Sequence, residues 1–281
     1  MNSNKNQLKF SKMHGLKNDF MVVETLTQNF FFTKKIIQNF SNRKTGIGFD
    51  QLLIIEYPKI KNTNFHYRIF NANGSEVEQC GNGARCFAKF VFDKKFINKK
   101  TIVVSTKNRI LTLQIKDKEN ILVNMGTPEF QPNKIPLLIK KKKNKYSIEI
   151  NSKKYSFGAV SIGNPHCVIL VKDINLIQVK KIGSIFQNIS LFPKQVNVGF
   201  MKILNRNEIF LRVFERGVGE TQACGSGACA AVAIGVKQNK LSNNVTVHLI
   251  GGDIKVNYNL KKKCIFICGP AEHIYDGLVY Y

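Results

Sequence analysis

Most apolar residues in this chain fall in short, separated runs. Phe65 to Asn71 and Glu208 to Glu215 are rich in β-branched and aromatic residues and predict strands. Similar runs at Met21 to Glu24, Leu52 to Glu56, Ile102 to Ser105, Ile121 to Met125, Val168 to Val171, Val198 to Ile203 and Val245 to Leu249 predict more of them. Two stretches depart from this pattern: Gly83 to Phe92 and Gly227 to Gln238 read as helices, the second rich in Ala. Many strands with about one long helix per half predict an α+β fold, not a doubly wound parallel sheet. Gly126 to Lys145, turn-rich and Lys-rich, is the best linker region. Cys264 and Cys268 share one face of a further predicted strand and read as core, and Cys86 and Cys229, inside the helices, read as packing.

The pattern is written twice. Arg68-Ile69-Phe70-Asn71 is echoed by Arg212-Val213-Phe214-Glu215, 144 positions later. In the same register Glu76 matches Glu220, and Cys80-Gly81-Asn82-Gly83-Ala84 matches Cys224-Gly225-Ser226-Gly227-Ala228, giving seven identities over the seventeen positions from 68 to 84 without a gap. A weaker echo pairs Asn18-Asp19-Phe20 with Asn164-Pro165-His166. The expectation is two related halves about a pseudo-two-fold axis.

Charge changes this picture little. The net charge of +25 suggests nucleic acid, but only seven of the 43 basic residues are Arg, in a chain also crowded with Asn and Ile. That mixture is the signature of A/T-rich codons. The densest run, Lys140 to Lys145, has no interleaved aromatics for base stacking and reads as solvated surface. The N-terminal residues contain no apolar stretch fit for a signal peptide, and Ala228 to Val236 is too short to cross a bilayer. Together with seven cysteines in a chain too long to need disulfide staples, this predicts a cytoplasmic protein with reduced thiols, binding neither membrane nor nucleic acid.

The duplicated cysteine carries the chemistry. A thiol at a helix start faces unpaired backbone N–H groups and the positive end of the helix dipole, which favour thiolate. The dipole supplies roughly 0.3–1 kcal/mol against about 1.4 per pKa unit, so hydrogen bonds or a nearby charge must help. The glycines let the backbone approach an anion such as a carboxylate. Inverting a stereocentre through a planar carbanion needs a base on one face and an acid on the other, and two such cysteines, Cys80 and Cys224, supply the pair. Neither C-x-x-C nor a tight His/Cys cluster occurs, so no metal is expected.

At these residues the sequence resembles the diaminopimelate epimerase family. The resemblance runs from about Leu8 to the C-terminus: Met13-His14-Gly15-Leu16-Lys17-Asn18-Asp19-Phe20, Gly48-Phe49-Asp50-Gln51-Leu52-Leu53, Phe70-Asn71-Ala72-Asn73-Gly74-Ser75-Glu76 and Gln79-Cys80-Gly81-Asn82-Gly83-Ala84-Arg85-Cys86, then Gly163-Asn164-Pro165-His166-Cys167, Val196-Asn197-Val198-Gly199-Phe200, Glu215-Arg216-Gly217 and Cys224-Gly225-Ser226-Gly227, and last Gly269-Pro270-Ala271 and Tyr275-Asp276-Gly277. Residues 1–7 read as an extra mobile tail. The resemblance implies cofactor-independent conversion of LL-2,6-diaminopimelate to the meso isomer, for lysine and peptidoglycan synthesis, by a homodimer. It implies Cys80 and Cys224 as the acid/base pair, with Gly81, Asn82, Gly225 and Ser226 holding the reacting carboxylate. Asn18, Gln51, Asn71, Asn164, Asn197, Glu215 and Arg216 would bind the remaining substrate groups, and His166 and Glu215 would tune the cysteines. It implies two αβ domains, each with strands around a central helix: residues 1–124 with 270–281 returning to them, and residues 125–269.

Lys17 departs from the family, which usually has Gly there; a positive φ at that position would carry a steric cost. Competing expectations are a proline or hydroxyproline racemase of the same fold, the phenazine-pathway isomerase type (disfavoured by the cysteine pair), a basic nucleic-acid-binding module and a thiol–disulfide oxidoreductase.

Overall fold

A computed structural model describes residues 7–78, 80–150 and 152–281. Gln79, which opens the first cysteine motif, and residues 1–6 of the expected tail lie outside the described residues; Gln7 already pairs in a sheet, opposite Tyr280. The chain divides into two compact units, one running to Val123 and taking in Gly269–Tyr281, the other comprising Asn124–Cys268.

The first unit holds β1 (Gln7–Gly15), β2 (Asn18–Glu24), α1 (Lys34–Ser41), β3 (Gln51–Glu56), β4 (Phe65–Asn71), β5 (Glu76–Val77), α2 (Gly81–Asp93), β6 (Thr101–Ser105), β7 (Ile110–Ile115) and β8 (Asn120–Gly126). In the second follow a 3-10 turn at Pro132–Lys134, β9 (Tyr146–Ile150), β10 (Lys153–Ser161), β11 (Pro165–Leu170), α3 (Val179–Asn188), β12 (Asn197–Asn205), β13 (Glu208–Glu215), β14 (Gly219–Thr221), α4 (Gly225–Lys237), β15 (Asn244–Leu249), β16 (Gly252–Asn259) and β17 (Cys264–Pro270). A last strand, β18 (Glu272–Tyr280), returns to the first unit and runs antiparallel to β1.

The two units repeat one ladder. In the first, β1–β2 is antiparallel, β2–β3 parallel, β3–β4 antiparallel, β4–β6 parallel, and β6–β7 and β7–β8 antiparallel. The second repeats this order as β10–β11, β11–β12, β12–β13, β13–β15, β15–β16 and β16–β17, with the same senses where the strands correspond. The duplicated arginines explain part of the sequence identity. Arg68 Nε and Nη2 grip both Glu76 oxygens at 3.0 and 3.1 Å, and Arg212 grips Glu220 at 2.6 and 3.1 Å. Each bidentate pair pins the short strand that leads to a cysteine, β5 or β14, onto its neighbour.

Burial explains the helices. On α2, Ala84, Cys86, Phe87, Ala88 and Val91 are fully buried, and α4 buries every residue from Gly227 to Gly235. A helix apolar all round belongs inside a wrap of strands. The wrap is tight: a Cβ on Gly158 of β10 would lie 2.4 Å from Ile234 of α4. The stretch expected as a linker is only partly one, since Ile135 and Leu137 join the core of the second unit while Lys140 to Lys145 stay exposed. Cys86 and Cys229 are buried as expected. The core reading of Cys264 and Cys268 is corrected: both are only half-buried. The two-residue period of β17 turns Ile265 and Ile267 inward and the cysteines to the other face.

Between β1 and β2 the chain turns in two residues, Leu16 (φ 56°) and Lys17 (φ 64°), with Gly15 opposite Asn18. Positive φ at both central positions is the geometry of a type I′ hairpin, which favours Asn-Gly. Lys17 therefore bears the steric cost. Lys17→Gly is expected to raise stability by roughly 0.5–1 kcal/mol in denaturant unfolding, and Lys17→Val to lower it by at least as much.

Candidate active site

Both motif cysteines occupy the N-cap of a central helix, Cys80 on α2 and Cys224 on α4, each in extended backbone conformation. In the first unit Cys80 is half-buried, and its Sγ accepts the Gly83 N–H at 3.3 Å, using one of the free donors of the helix start. Gly83 is required there, because a Cβ would come within 2.5 Å of the buried Tyr67 hydroxyl. Asn18, first residue of β2, sets its Oδ1 3.7 Å from Cys80 Sγ and 3.3 Å from Asn82 Nδ2. Gln51 Nε2 donates to Asn71 Oδ1 at 2.8 Å across the β3–β4 pair.

In the second unit the sulfur turns elsewhere. Cys224 Sγ donates to Glu215 Oε2 at 3.1 Å, and Thr221 Oγ1 holds the other carboxylate oxygen at 2.5 Å. Burial above all, then the charge and hydrogen bond of Glu215, push the Cys224 thiol well up; the Ser226 hydroxyl, 3.6 Å from the sulfur, opposes them. Cys224 is thus held as a thiol. His166 Nε2 lies 3.0 Å from both Asn164 Oδ1 and Ser226 Oγ. An amide oxygen only accepts, so Nε2 carries the proton, and the Ser226 hydrogen is left to face the sulfur. Burial, with Arg216 adding its charge, drops His166 to about 3, so the imidazole is neutral. Asn197, also buried, donates to the Pro165 carbonyl at 3.1 Å and accepts the Arg216 N–H at 2.9 Å. Arg216 is exposed and its Nη1 donates to the Lys194 carbonyl at 3.0 Å.

The ladders place these residues in pairs. Gln51 stands beside Phe20 on parallel strands, and Asn197 stands beside His166 in the same way. From one unit to the other, then, Asn18 corresponds to Asn164, Gln51 to Asn197, Asn71 to Glu215, and Asn82 to Ser226. In the first unit Asn18 meets Cys80 and Asn82 at the start of α2, while Gln51 and Asn71 bond each other across β3 and β4. The second gathers Asn164, His166, Asn197, Glu215 and Gly225-Ser226 around α4, with Arg216 at the rim. Two further residues belong to the site without standing out in the sequence: Thr221, three residues before Cys224, which orients Glu215, and Asp50, which precedes Gln51. Asp50 Oδ2 accepts from Asn18 Nδ2 at 3.0 Å. Among the described residues no group of three or more His, Cys, Asp or Glu could hold a metal ion, and no helix is long and apolar enough to cross a membrane.

Two copies of one α+β module, each closed on a cysteine-capped helix, define a protein of the epimerase and isomerase fold class. Solved structures agree on the fold. A hydroxyproline epimerase from Agrobacterium vitis, with bound trans-4-hydroxy-L-proline, superposes with a TM-score of 0.73 at 12% identity, covering 100% of this chain and 94% of that one. A probable proline racemase from Agrobacterium radiobacter K84 gives 0.71 at 12% identity, over 97% and 92%. A phenazine biosynthesis protein of the PhzF family from Bacillus anthracis gives 0.67 at 13%, over 98% and 99%. The chain belongs to the diaminopimelate epimerase family, whose model matches residues 10–131 and 158–274.

The buried neutral His166 has a thermodynamic consequence. Its folded pKa lies below the unfolded value of 6.5, so the unfolded chain binds the extra proton, and stability is lost as pH falls from about 6.5 toward about 3. The loss is expected to be on the order of a few kcal/mol. Urea unfolding of wild type and His166→Gln between those limits checks this. The variant is expected to be less stable at neutral pH but to show a flatter decline in acid; parallel declines would contradict it.

Proposed function

We propose that the protein epimerises LL-2,6-diaminopimelate to meso-diaminopimelate, without a cofactor, by proton transfer between two cysteines and the substrate α-carbon. The single observation that carries this is the unequal environment of two equivalent cysteines: one is held as a thiol by a carboxylate, the other has an amide on the matching position. In the direction where Cys80 acts as base, its thiolate takes the α-proton and the C–H electron pair spreads onto the carboxylate. Cys224 then delivers its proton to the opposite face, and the roles exchange in the reverse direction. The N–H groups of the two helix starts, with Asn82 and Ser226, stabilise the charge that grows on the carboxylate.

The polar residues support this choice of substrate. Asn18, Gln51, Asn71, Asn164, Asn197 and Glu215 offer amide and carboxylate groups suited to ammonium and carboxylate ends. The planar guanidinium of Arg216, released from the Lys194 carbonyl, suits a distal carboxylate. Such a set favours a substrate with two amino-acid ends over proline, because groups left unpaired by a smaller substrate carry a penalty. A homodimer in the cytoplasm is part of the same proposal.

Cys80→Ala and Cys224→Ala should each abolish epimerisation of diaminopimelate, a loss of at least about 10³-fold, with the circular dichroism spectrum unchanged. Wild type should leave L-proline and trans-4-hydroxy-L-proline without detectable turnover. An undiminished rate in either cysteine variant rules out the two-base scheme, and faster turnover of proline reassigns the substrate.

A further inference from the structure

Asn18 is oriented by charge. Arg43, in the loop after α1, donates to both oxygens of Asp19 at 2.9 and 2.7 Å and to Asp50 Oδ1 at 2.8 Å. Burial pushes the Asp19 carboxyl up, but the bonds from Arg43 and Lys12 outweigh it and hold the group well below the usual carboxylate range. The backbone closes the cluster: Asp50 N–H donates to Asp19 Oδ1 at 2.9 Å and Asp19 N–H to Asp50 Oδ2 at 3.2 Å. The same Asp50 Oδ2 faces the Asn18 amide at 3.0 Å. A carboxylate only accepts, so Asn18 must present its NH₂ to Asp50, and its oxygen is forced to the other side, toward Cys80 and Asn82.

The second unit does the reverse. The position matching Asp50 at the head of its strand is Val196, fully buried and apolar. There the Nε2–H of His166 claims the oxygen of Asn164, and the Asn164 NH₂ points to Ser226 at 3.4 Å. Two equivalent asparagines are thus turned in opposite senses, and among the described residues only those of the first unit form a charged cluster that sets its asparagine.

We propose that Arg43 and Asp50 form a positioning relay that locks the Asn18 oxygen toward Cys80, so that Cys80 is held as a thiol. A substrate ammonium bonded to that oxygen would compete with the thiol for it; the thiol proton then leaves to solvent, and the thiolate is ready to take the α-proton. Arg43 and Asp50 touch neither cysteine and act through Asn18 alone. Of the other titratable groups, Tyr67 on β4 and Cys86 on α2 interact with Cys80; Arg85 on α2 and Glu272 on β18, the latter paired with His14 of β1, act on Cys86, and Lys12 is bound to Asp19.

The inference rests on the proposed function only for the identity of Cys80 as a reacting group, and its test needs no turnover. Iodoacetamide alkylation of the full-length protein without substrate, read at the Cys80 and Cys224 peptides from about pH 6 to about pH 10, reports the thiolate fraction of each. In Asp50→Asn the introduced amide turns its NH₂ to Asn18, whose own amide rotates and presents a donor to the sulfur. The Cys80 midpoint is expected to fall by about one unit, a roughly tenfold faster reaction near neutral pH, with Cys224 unmoved. Arg43→Gln replaces a side chain that is 58% exposed and frees Asp50 from its clamp; it gives the same direction with a smaller shift and decides the matter if Asp50→Asn does not fold. A folded variant whose Cys80 midpoint is unchanged or higher overturns the relay, even where diaminopimelate is still epimerised. Conversely, the shift is expected even if diaminopimelate is not the substrate.

Discussion

Each unit closes its strands around a buried helix that begins at a cysteine. A central helix wrapped by strands buries its first turn, and the N–H groups there need partners that side chains of the wrap can hardly supply. In the first unit the capping sulfur meets part of that need by accepting the Gly83 N–H, whereas in the second Cys224 turns its sulfur to Glu215 and caps with backbone alone. Small residues follow from the same demand: Gly83 leaves room for Tyr67, and Gly158 lets β10 close on α4.

Duplication supplies two such points, and substitution within the duplicate makes them different. Asn71 and Glu215 end equivalent strands, yet one bonds an amide and the other a cysteine. Phe20 and His166 also correspond, and only the second brings a proton donor to its asparagine. The backbone ladder is common to both units; the polar residues at its ends are not. A repeat that kept its polar residues identical would give two thiols of equal proton affinity, whereas a reaction that moves a proton from one to the other gains from a difference fixed in advance.

Much of the fold was legible because the helix and strand signals are strong where burial is deep. Phe65–Asn71 and Glu208–Glu215 are strands over the residues expected, and the two central helices differ from expectation only at their ends, starting two residues earlier, directly after the cysteines. The outer elements were not legible. α1 is capped by Thr33 but is only eight residues long and buries only Ile37, and α3 contains β-branched residues and Gly183, whose place against Phe214 leaves no room for a Cβ; in both, poor helix formers mask a short amphipathic pattern. β18 is exposed along most of its length and shows no clean alternation. Within the candidate site, the cysteines and their flanking glycines stood out because they are repeated. Asp50, Arg43 and Thr221 did not, since their contribution is an orientation imposed on another side chain, which residue spacing does not encode.

The proposed exchange of protons between two distinct thiols and one α-carbon is recorded in the isotope content of substrate and product. In deuterated water, with no cofactor added, LL-diaminopimelate is sampled at low conversion and both isomers are separated. The meso product is expected to carry deuterium at the inverted carbon while recovered LL substrate retains its hydrogen. Product that keeps the original hydrogen at that carbon, or absence of any inversion, would contradict it.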